Sequence, residues 1–262
     1  MPSVENLGAE IYWDELGDGP PVLLIMGLGC ASGLWHRTRP ALAARFRTIA
    51  LDNRGVGKSS RPPGPYPIAL MASDAAAVLD AAGAASAHVF GVSMGGMIAQ
   101  EFALQYPDRV RSLILGCTWP GGPKAPRPTR PATENLSPEE AARVLQELNY
   151  HPHTPQARVD EDRAAQGAAH PDAYVAQFQG SRGWESYDRL SRITVPTLVI
   201  HGACDLRVPP ANATLLAEGI RDAKLAIIPD AGHLFITDQQ EAANSAVLGF
   251  LENVALTVSS GN

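Results

Sequence analysis

The chain has 262 residues, a hydrophobic fraction of 45% and a formal net charge of −6. That length can bury a large core and suits one α/β domain with an inserted segment better than two independent domains. A mildly acidic chain without a long basic run is not expected to bind nucleic acid, because phosphate binding needs clustered Lys and Arg.

The first residues, MPSVENLGAE, have neither a basic n-region nor an apolar h-region. The longest apolar runs, such as VLLIM at 22–26, are far too short to cross a bilayer. A cytoplasmic protein with no membrane partner is expected, and its expected partner is a small molecule. Cys30, Cys117 and Cys204 are far apart and odd in number, so they form neither a disulfide framework nor a CxxC site. They are expected to act as small buried hydrophobes.

In chain order, EIYWDEL at 10–16 alternates like a half-exposed strand, and VLLIM at 22–26 reads as a buried one. Residues 34–45 could start a helix, though Pro40 weakens its first half. A strand at 46–52, a helix at 68–82, a strand at HVFG, a helix at 94–106 and a strand at 110–116 follow. Residues 119–135, dense in Pro, Gly and basic residues, read as a loop. Ser137, Pro138 and Glu140 then spell a helix start, with Ala141, Val144, Leu145 and Leu148 on one face. Thr154-Pro155 looks like another start, and this helical stretch ends near Leu190. Strand rhythm returns at 197–202 and 224–229, with helices near 210–219 and 239–252. Such alternation implies an α/β fold with a mainly parallel sheet covered by helices on both faces. The core is expected at 1–118 and 191–262, with a helical lid at 119–190.

Gly91-Val92-Ser93-Met94-Gly95 matches G-x-S-x-G between a strand and a helix. A serine at a sharp strand-to-helix turn is strained, and side chains two residues to either side would collide, so those positions need glycine. A nucleophilic serine needs a base. Of seven histidines, His233 follows the last strand and lies on the same sheet edge as Ser93. His201 and His88 are better read as structural, and His36 could line a pocket. His151 and His153 have the spacing of a weak metal pair, but no further ligands support it, so neither a metal nor another cofactor is expected. An acid must orient the base, and Asp205, after the penultimate strand, is the choice over Asp230, which is more suited to shaping its own loop. Gly55-Val56-Gly57-Lys58-Ser59 is not a phosphate loop, because Asp52 stands where the first glycine would be.

The order Ser93, Asp205, His233 is that of α/β-hydrolases, and the chain resembles that superfamily over nearly its whole length. Leu51–Ser59 is similar to the family's D-x-R-G-x-G-x-S segment, LVIHGACDLRVP to its acid loop, and Ala231-Gly232-His233 to its histidine loop. The resemblance implies that the 51–59 segment supports the active-site loops. It also implies an oxyanion hole made by the backbone N–H groups of Met94 and Leu28, although this chain has Met26-Gly27 where relatives commonly have His-Gly. ALAARFR and SMGGMIAQ look most like small bacterial esterases and lactonases, including 3-oxoadipate enol-lactonases. The implied activity is hydrolysis of a small carboxylic ester or lactone through an acyl-enzyme on Ser93. Carbon–carbon bond hydrolysis of a diketone-like metabolite by the same triad, or a catalytically weak ligand-binding role, are the alternatives. Leu28, Cys30, Trp35, Met94, Trp119, Trp184 and Tyr187 are candidate pocket residues, and Arg127, Arg130 and Arg182 could meet an anionic substrate.

Overall fold

The computed structural model describes residues 2–129, 136–167 and 170–259. Eight strands form one sheet: β1 (Ser3–Asn6), β2 (Ala9–Leu16), β3 (Pro21–Ile25), β4 (Arg47–Leu51), β5 (Ala87–Val92), β6 (Val110–Gly116), β7 (Thr197–Gly202) and β8 (Lys224–Ile228). Their order is β1-β2-β4-β3-β5-β6-β7-β8. β1 and β2 pair antiparallel, β2 is antiparallel to β4, and the pairs from β4 to β8 are parallel. This is the mainly parallel sheet that the strand–helix alternation implies.

The central strands are apolar on both faces because helices cover both. Leu23 and Ile25 of β3 pack on one side, against α2 (Ile68–Ala81), α3 (Met94–Gln105) and α7 (Ala211–Gly219). Val22 and Leu24 pack on the other, against α1 (Arg39–Ala43) and α9 (Gln240–Ser259). The edge strand β8 keeps only Ile228 buried.

Two expectations need correction. The helix expected at 34–45 splits into a 3-10 turn, Ser32–Arg37, and the short α1. Pro40 sits in the first turn of α1, where its missing N–H costs nothing. Cys117 is buried, but Cys30 is half-buried and Cys204 exposed, so only one cysteine is a buried hydrophobe.

Between β6 and β7 the chain leaves the sheet to form α4 (Pro138–Asn149), α5 (Gln156–Gln166) and α6 (Pro171–Ser181). α4 starts on a complete capping box: Glu140 N–H donates to Ser137 Oγ, and Ser137 N–H donates to Glu140 Oε2. A short α8 (Phe235–Asp238) precedes α9. Among the described residues no helix is long and apolar enough to cross a membrane.

His88, at the start of β5, is structural. Its Nδ1 lies 2.7 Å from Ser112 Oγ, and its ring meets the Phe46 ring edge-on. Burial, helped by the nearby Arg111 charge, lowers its pKa from 6.5 to about 4. A group with a depressed histidine pKa stabilises the fold fully above 6.5 and loses that contribution as pH falls to about 4, where the unfolded chain alone takes the proton. The gap corresponds to about 3 kcal/mol. Urea titrations should therefore show wild type losing up to about 3 kcal/mol more than His88→Gln between those pH values. Parallel pH profiles for the two proteins would refute this.

Candidate active site

The parallel strands end along one edge, and every residue singled out for chemistry lies just beyond it. Ser93 follows β5 with φ +58° and ψ −123°, a backbone region that side-chain-bearing residues rarely adopt. Its neighbours explain how the turn is tolerated. A Cβ on Gly91 would overlap the Gly95 carbonyl, and one on Gly95 would overlap the Ile25 carbonyl oxygen. A Cβ on Gly96 would press into the Thr118 side chain. The turn is then pinned: Ser93 N–H donates to Gly116 O (2.8 Å), and Thr118 Oγ1 donates to Ser93 O (2.7 Å). Ser93 is half-buried, and among the described residues no hydrogen bond engages its Oγ.

The loops after β7 and β8 are stitched together. Ala203 N–H donates to Ile228 O (2.9 Å) and Cys204 N–H to Ala231 O (2.8 Å). Gly202 is needed there, because a Cβ would overlap the Gly232 carbonyl oxygen. This brings His233 Nδ1 to 2.8 Å from Asp205 Oδ2, with both residues 4% exposed. Asp205 Oδ1 accepts the N–H groups of Arg207 (2.8 Å) and Val208 (2.9 Å). His201 Nε2 lies 3.1 Å from Asp205 Oδ2 and 2.9 Å from Val208 O. Two acceptors face that nitrogen, so it carries the ring proton. Burial would raise the Asp205 pKa, but the facing His233 and His201 rings overcome it and hold the carboxyl well below the usual carboxylate range. Asp230 is exposed, with φ +50°, and its carbonyl accepts from Gln239, so it shapes its loop.

Cys117, His201 and Asp205 present potential metal-binding atoms within 4.8 Å of one another. The hydrogen bonds just described occupy the Asp205 oxygens and His201 Nε2. Burial, followed by the Asp205 charge, pushes the Cys117 thiol pKa well up. A protonated thiol beside a saturated carboxylate is hydrogen-bonded packing rather than a ligand set.

The loop after β3 runs beside Ser93: a Cβ on Gly27 would stand 3.0 Å from Ser93 Cβ. Among the described residues, neither the Leu28 nor the Met94 amide is engaged in a hydrogen bond. The 51–59 segment holds this loop in place. Asn53 Nδ2 donates to Met26 O (2.9 Å), and Asp52 accepts from Ser32 N–H (2.7 Å) and Lys58 N–H (2.8 Å). Arg54 and Asp74 form a buried, bidentate pair with both bonds at 2.6 Å.

Several expected pocket residues do other work. Trp35 is fully buried and packs on Phe90, with ring centroids 4.8 Å apart. Trp184 Nε1 donates to Glu101 Oε2 (2.8 Å), and Tyr187 packs on Gly122. These three fill the core or fasten the insertion. Leu28, Cys30 and Trp119 are half-buried and Met94 is buried at the sheet edge. Cys30 Sγ donates to Leu28 O (3.4 Å), and burial pushes its pKa up to about 11. His36 is bound to Asp162 (2.8 Å). Arg127 and Arg182 are exposed, and Arg130 lies outside the described residues.

Sequence reasoning missed three polar residues that bind the insertion to this edge. Asp162 of α5, 1% exposed, also accepts from Tyr150 OH (3.2 Å) and Thr237 Oγ1 (2.6 Å). Asp238 gathers the N–H groups of Gly232 (2.7 Å) and His151 (3.0 Å) and the Thr154 hydroxyl (2.6 Å). Gln177 of α6 reaches Gly29. No local pattern marks any of them, because their partners are remote in sequence.

The profile of the alpha/beta hydrolase fold family matches residues 20–158, and that of the prolyl oligopeptidase family matches residues 136–256. A putative carbamate hydrolase, RutD, from Azorhizobium caulinodans is 36% identical, covering 95% of this chain and 98% of its own. The solved structure of a thermophilic esterase from Thermogutta terrifontis, 28% identical, superposes with a TM-score of 0.85, covering 97% and 98% of the two chains. An enol-lactonase from Burkholderia xenovorans LB400, 24% identical, shares the fold with a TM-score of 0.85 over 96% of this chain and 100% of its own.

The turn at Ser93 depends on glycine, and this gives a paired test. Gly91→Ala should abolish soluble folded protein or lower Tm by more than about 10 °C, since overpacking against backbone costs several kcal/mol. Gly249→Ala in α9, where an added Cβ meets nothing within 4 Å, should be neutral or slightly stabilising. Equal melting temperatures for Gly91→Ala and wild type would show that the close approach is not needed.

Proposed function

The chain belongs to the alpha/beta hydrolase fold family, and from that premise we propose that it is a serine hydrolase cleaving a small carboxylic ester or lactone through an acyl-enzyme on Ser93. The observation that carries this reading is the bond from His233 Nδ1 to Asp205, which leaves Nε2 as the nitrogen available to a substrate or to Ser93.

Ser93 Oγ attacks the substrate carbonyl carbon, and its proton passes to His233 Nε2. The negative charge on the former carbonyl oxygen is met by the Leu28 and Met94 N–H groups. Collapse breaks the carbon–oxygen bond to the leaving group, which takes the proton from His233. In a lactone the leaving hydroxyl stays attached to the acyl chain. Water then gives a proton to His233 and attacks the acyl-enzyme. The carboxylic acid departs and Ser93 regains its proton. Asp205, held as a carboxylate, fixes the tautomer and stabilises the imidazolium. The helices between β6 and β7 act as the lid, with Leu28, Cys30, Trp119 and Met94 as the pocket side chains nearest the carbonyl.

A second reading, hydrolysis of a carbamate, is favoured by the 36% identity to a putative carbamate hydrolase. Ester and carbamate both offer a carbonyl to the same nucleophile, but the carbamate carbonyl carries nitrogen as well as oxygen, so it is less electrophilic and loss of its alkoxide would leave a carbamoyl-enzyme in place of an acyl-enzyme. Turnover of short p-nitrophenyl esters, lactones and carbamates by the purified protein separates them: kcat/KM should be highest for an ester or lactone, and a preference for carbamates would favour the second reading. Ser93→Ala should abolish turnover while far-UV circular dichroism stays unchanged. Intact mass should show one phosphonate adduct on wild type and none on the variant. Near-wild-type activity in Ser93→Ala would sink the assignment. Asp205→Asn should lower kcat by about 10⁴, by analogy with the protease triad, and a silent substitution would exclude Asp205 as the orienting acid.

A further inference from the structure

The loop after β3 is fastened from the helical insertion as well as from the core. Gln177, on the inner face of α6, is fully buried. Its Oε1 accepts Gly29 N–H at 2.8 Å, and its Nε2 donates to Arg54 O at 2.9 Å. Gln166, at the end of α5, donates through Nε2 to Gly29 O at 3.2 Å. The Tyr174 ring of α6 lies directly over Gly29, whose φ of +71° requires a left-handed backbone. Gly29 is thus held at its N–H, its carbonyl and its Cα by two helices of the insertion. Asn53 holds the other end of the loop at Met26 O.

Leu28 lies between these anchors. Because Gln177 takes the Gly29 amide, Gly29 cannot donate to a developing oxyanion, and among the described residues the neighbouring Leu28 amide makes no hydrogen bond. The Leu28 N–H lies in the Gly27–Leu28 peptide, whose carbonyl accepts Cys30 N–H (3.1 Å). Its direction also depends on the peptides to either side, the one before tied by Asn53 at Met26 O and the one after tied by Gln177 at Gly29 N–H. We propose that Gln177 is a positioning residue: from the insertion it sets the peptide after Leu28, so that the Leu28 N–H points at the carbonyl oxygen carried by Ser93. Gln177 touches no reacting atom. Its effect is to make the oxyanion hole a joint product of the core and the insertion.

The inference rests on the serine-hydrolase reading, and the experiment separates the two. Wild type, Gln177→Met and Trp184→Phe are titrated with a p-nitrophenyl phosphonate to count active sites. They are then assayed on p-nitrophenyl acetate and inhibited with a trifluoromethyl ketone, whose tetrahedral adduct carries the oxyanion. Gln177→Met keeps the side-chain volume but loses both bonds. Removing one oxyanion donor outright costs about 10²–10³ in kcat, so misaiming one should lower kcat per active site about 10- to 100-fold. KM should change less than about threefold, and ketone affinity should fall in parallel with kcat. Gln177→Glu, which retains an acceptor for Gly29 N–H, should recover most of kcat. Trp184→Phe removes a bond between insertion and core that does not involve Gly29, and should leave kcat and ketone affinity per active site at wild-type values.

A Gln177→Met enzyme with wild-type kcat and ketone affinity per active site overturns the inference while leaving the serine reading intact. So does one that loses activity only in proportion to titratable sites, which is a purely structural role. Failure of wild type to form the phosphonate adduct instead overturns the serine reading. If Gln177→Met does not fold, Gln166→Ala carries the test: among the described residues its half-buried side chain bonds the Gly29 carbonyl alone, and kcat should fall about threefold or more at constant KM. An unchanged kcat there would count against the inference.

Discussion

Helix α3 passes so close to β5 at Gly91 and to the end of β3 at Gly95 that neither glycine has room for a β-carbon. That approach forces the chain to reverse within one residue, and Ser93 takes the strain with a positive φ. The strained position is held by the ladder bond to Gly116 and the Thr118 hydroxyl, so its cost is borne by β6 rather than by the site. The consequences reach outward. The same turn raises the Ser93 side chain above the sheet edge and starts α3 at Met94, whose amide has no intrahelical acceptor and is free to face an anion. It also brings Gly27 against the serine, which fixes where the second amide-bearing loop must run.

Around that turn the electrostatics centre on one carboxylate. Asp205 is taken out of water, which disfavours its charge, yet two N–H donors on Oδ1 and two imidazoles on Oδ2 more than compensate. A buried charge is tolerable only when its lone pairs are satisfied in this way. Among the described residues the buried His201 Nδ1 has no hydrogen-bond partner. His201 is therefore held by its other nitrogen, between Val208 O and Asp205, and fixes the acid from the side opposite His233. Removing it would leave a carboxylate oxygen facing only His233, so the acid is itself positioned by a second histidine.

The sequence made most of this edge legible for a physical reason. Strained turns and close backbone approaches restrict residue type, so Gly91, Ser93, Gly95 and Gly202 stand out in a single chain. The capping box at Ser137 and Glu140 was readable because both partners lie within one helical turn. Aromatic residues carry no such restriction. Trp35 and Trp184 looked like pocket walls, and they pack on Phe90 and bind Glu101 instead, because a large apolar ring serves a core as well as a cavity. The short β1 went unread, as did α6, and with α6 the role of Gln177, whose partners are 148 and 123 residues away. Long-range side-chain bonds leave no periodic trace, and Asp162 and Asp238 were invisible for the same reason.

These unread residues change how the insertion should be understood. It is fastened to the edge by the buried Asp162, by Asp238 beneath the His233 loop, and by Gln177 on the loop after β3. Each bond contributes about 1–3 kcal/mol net, the larger values applying where a carboxylate is the acceptor. Lifting the insertion as a rigid flap would break all of them at once. It would also release the two loops that position His233 and Leu28. An open form reached in that way would lose both the His233–Asp205 geometry and the placement of the Leu28 amide. The insertion is thus fastened directly to the edge that carries Ser93, Asp205 and His233.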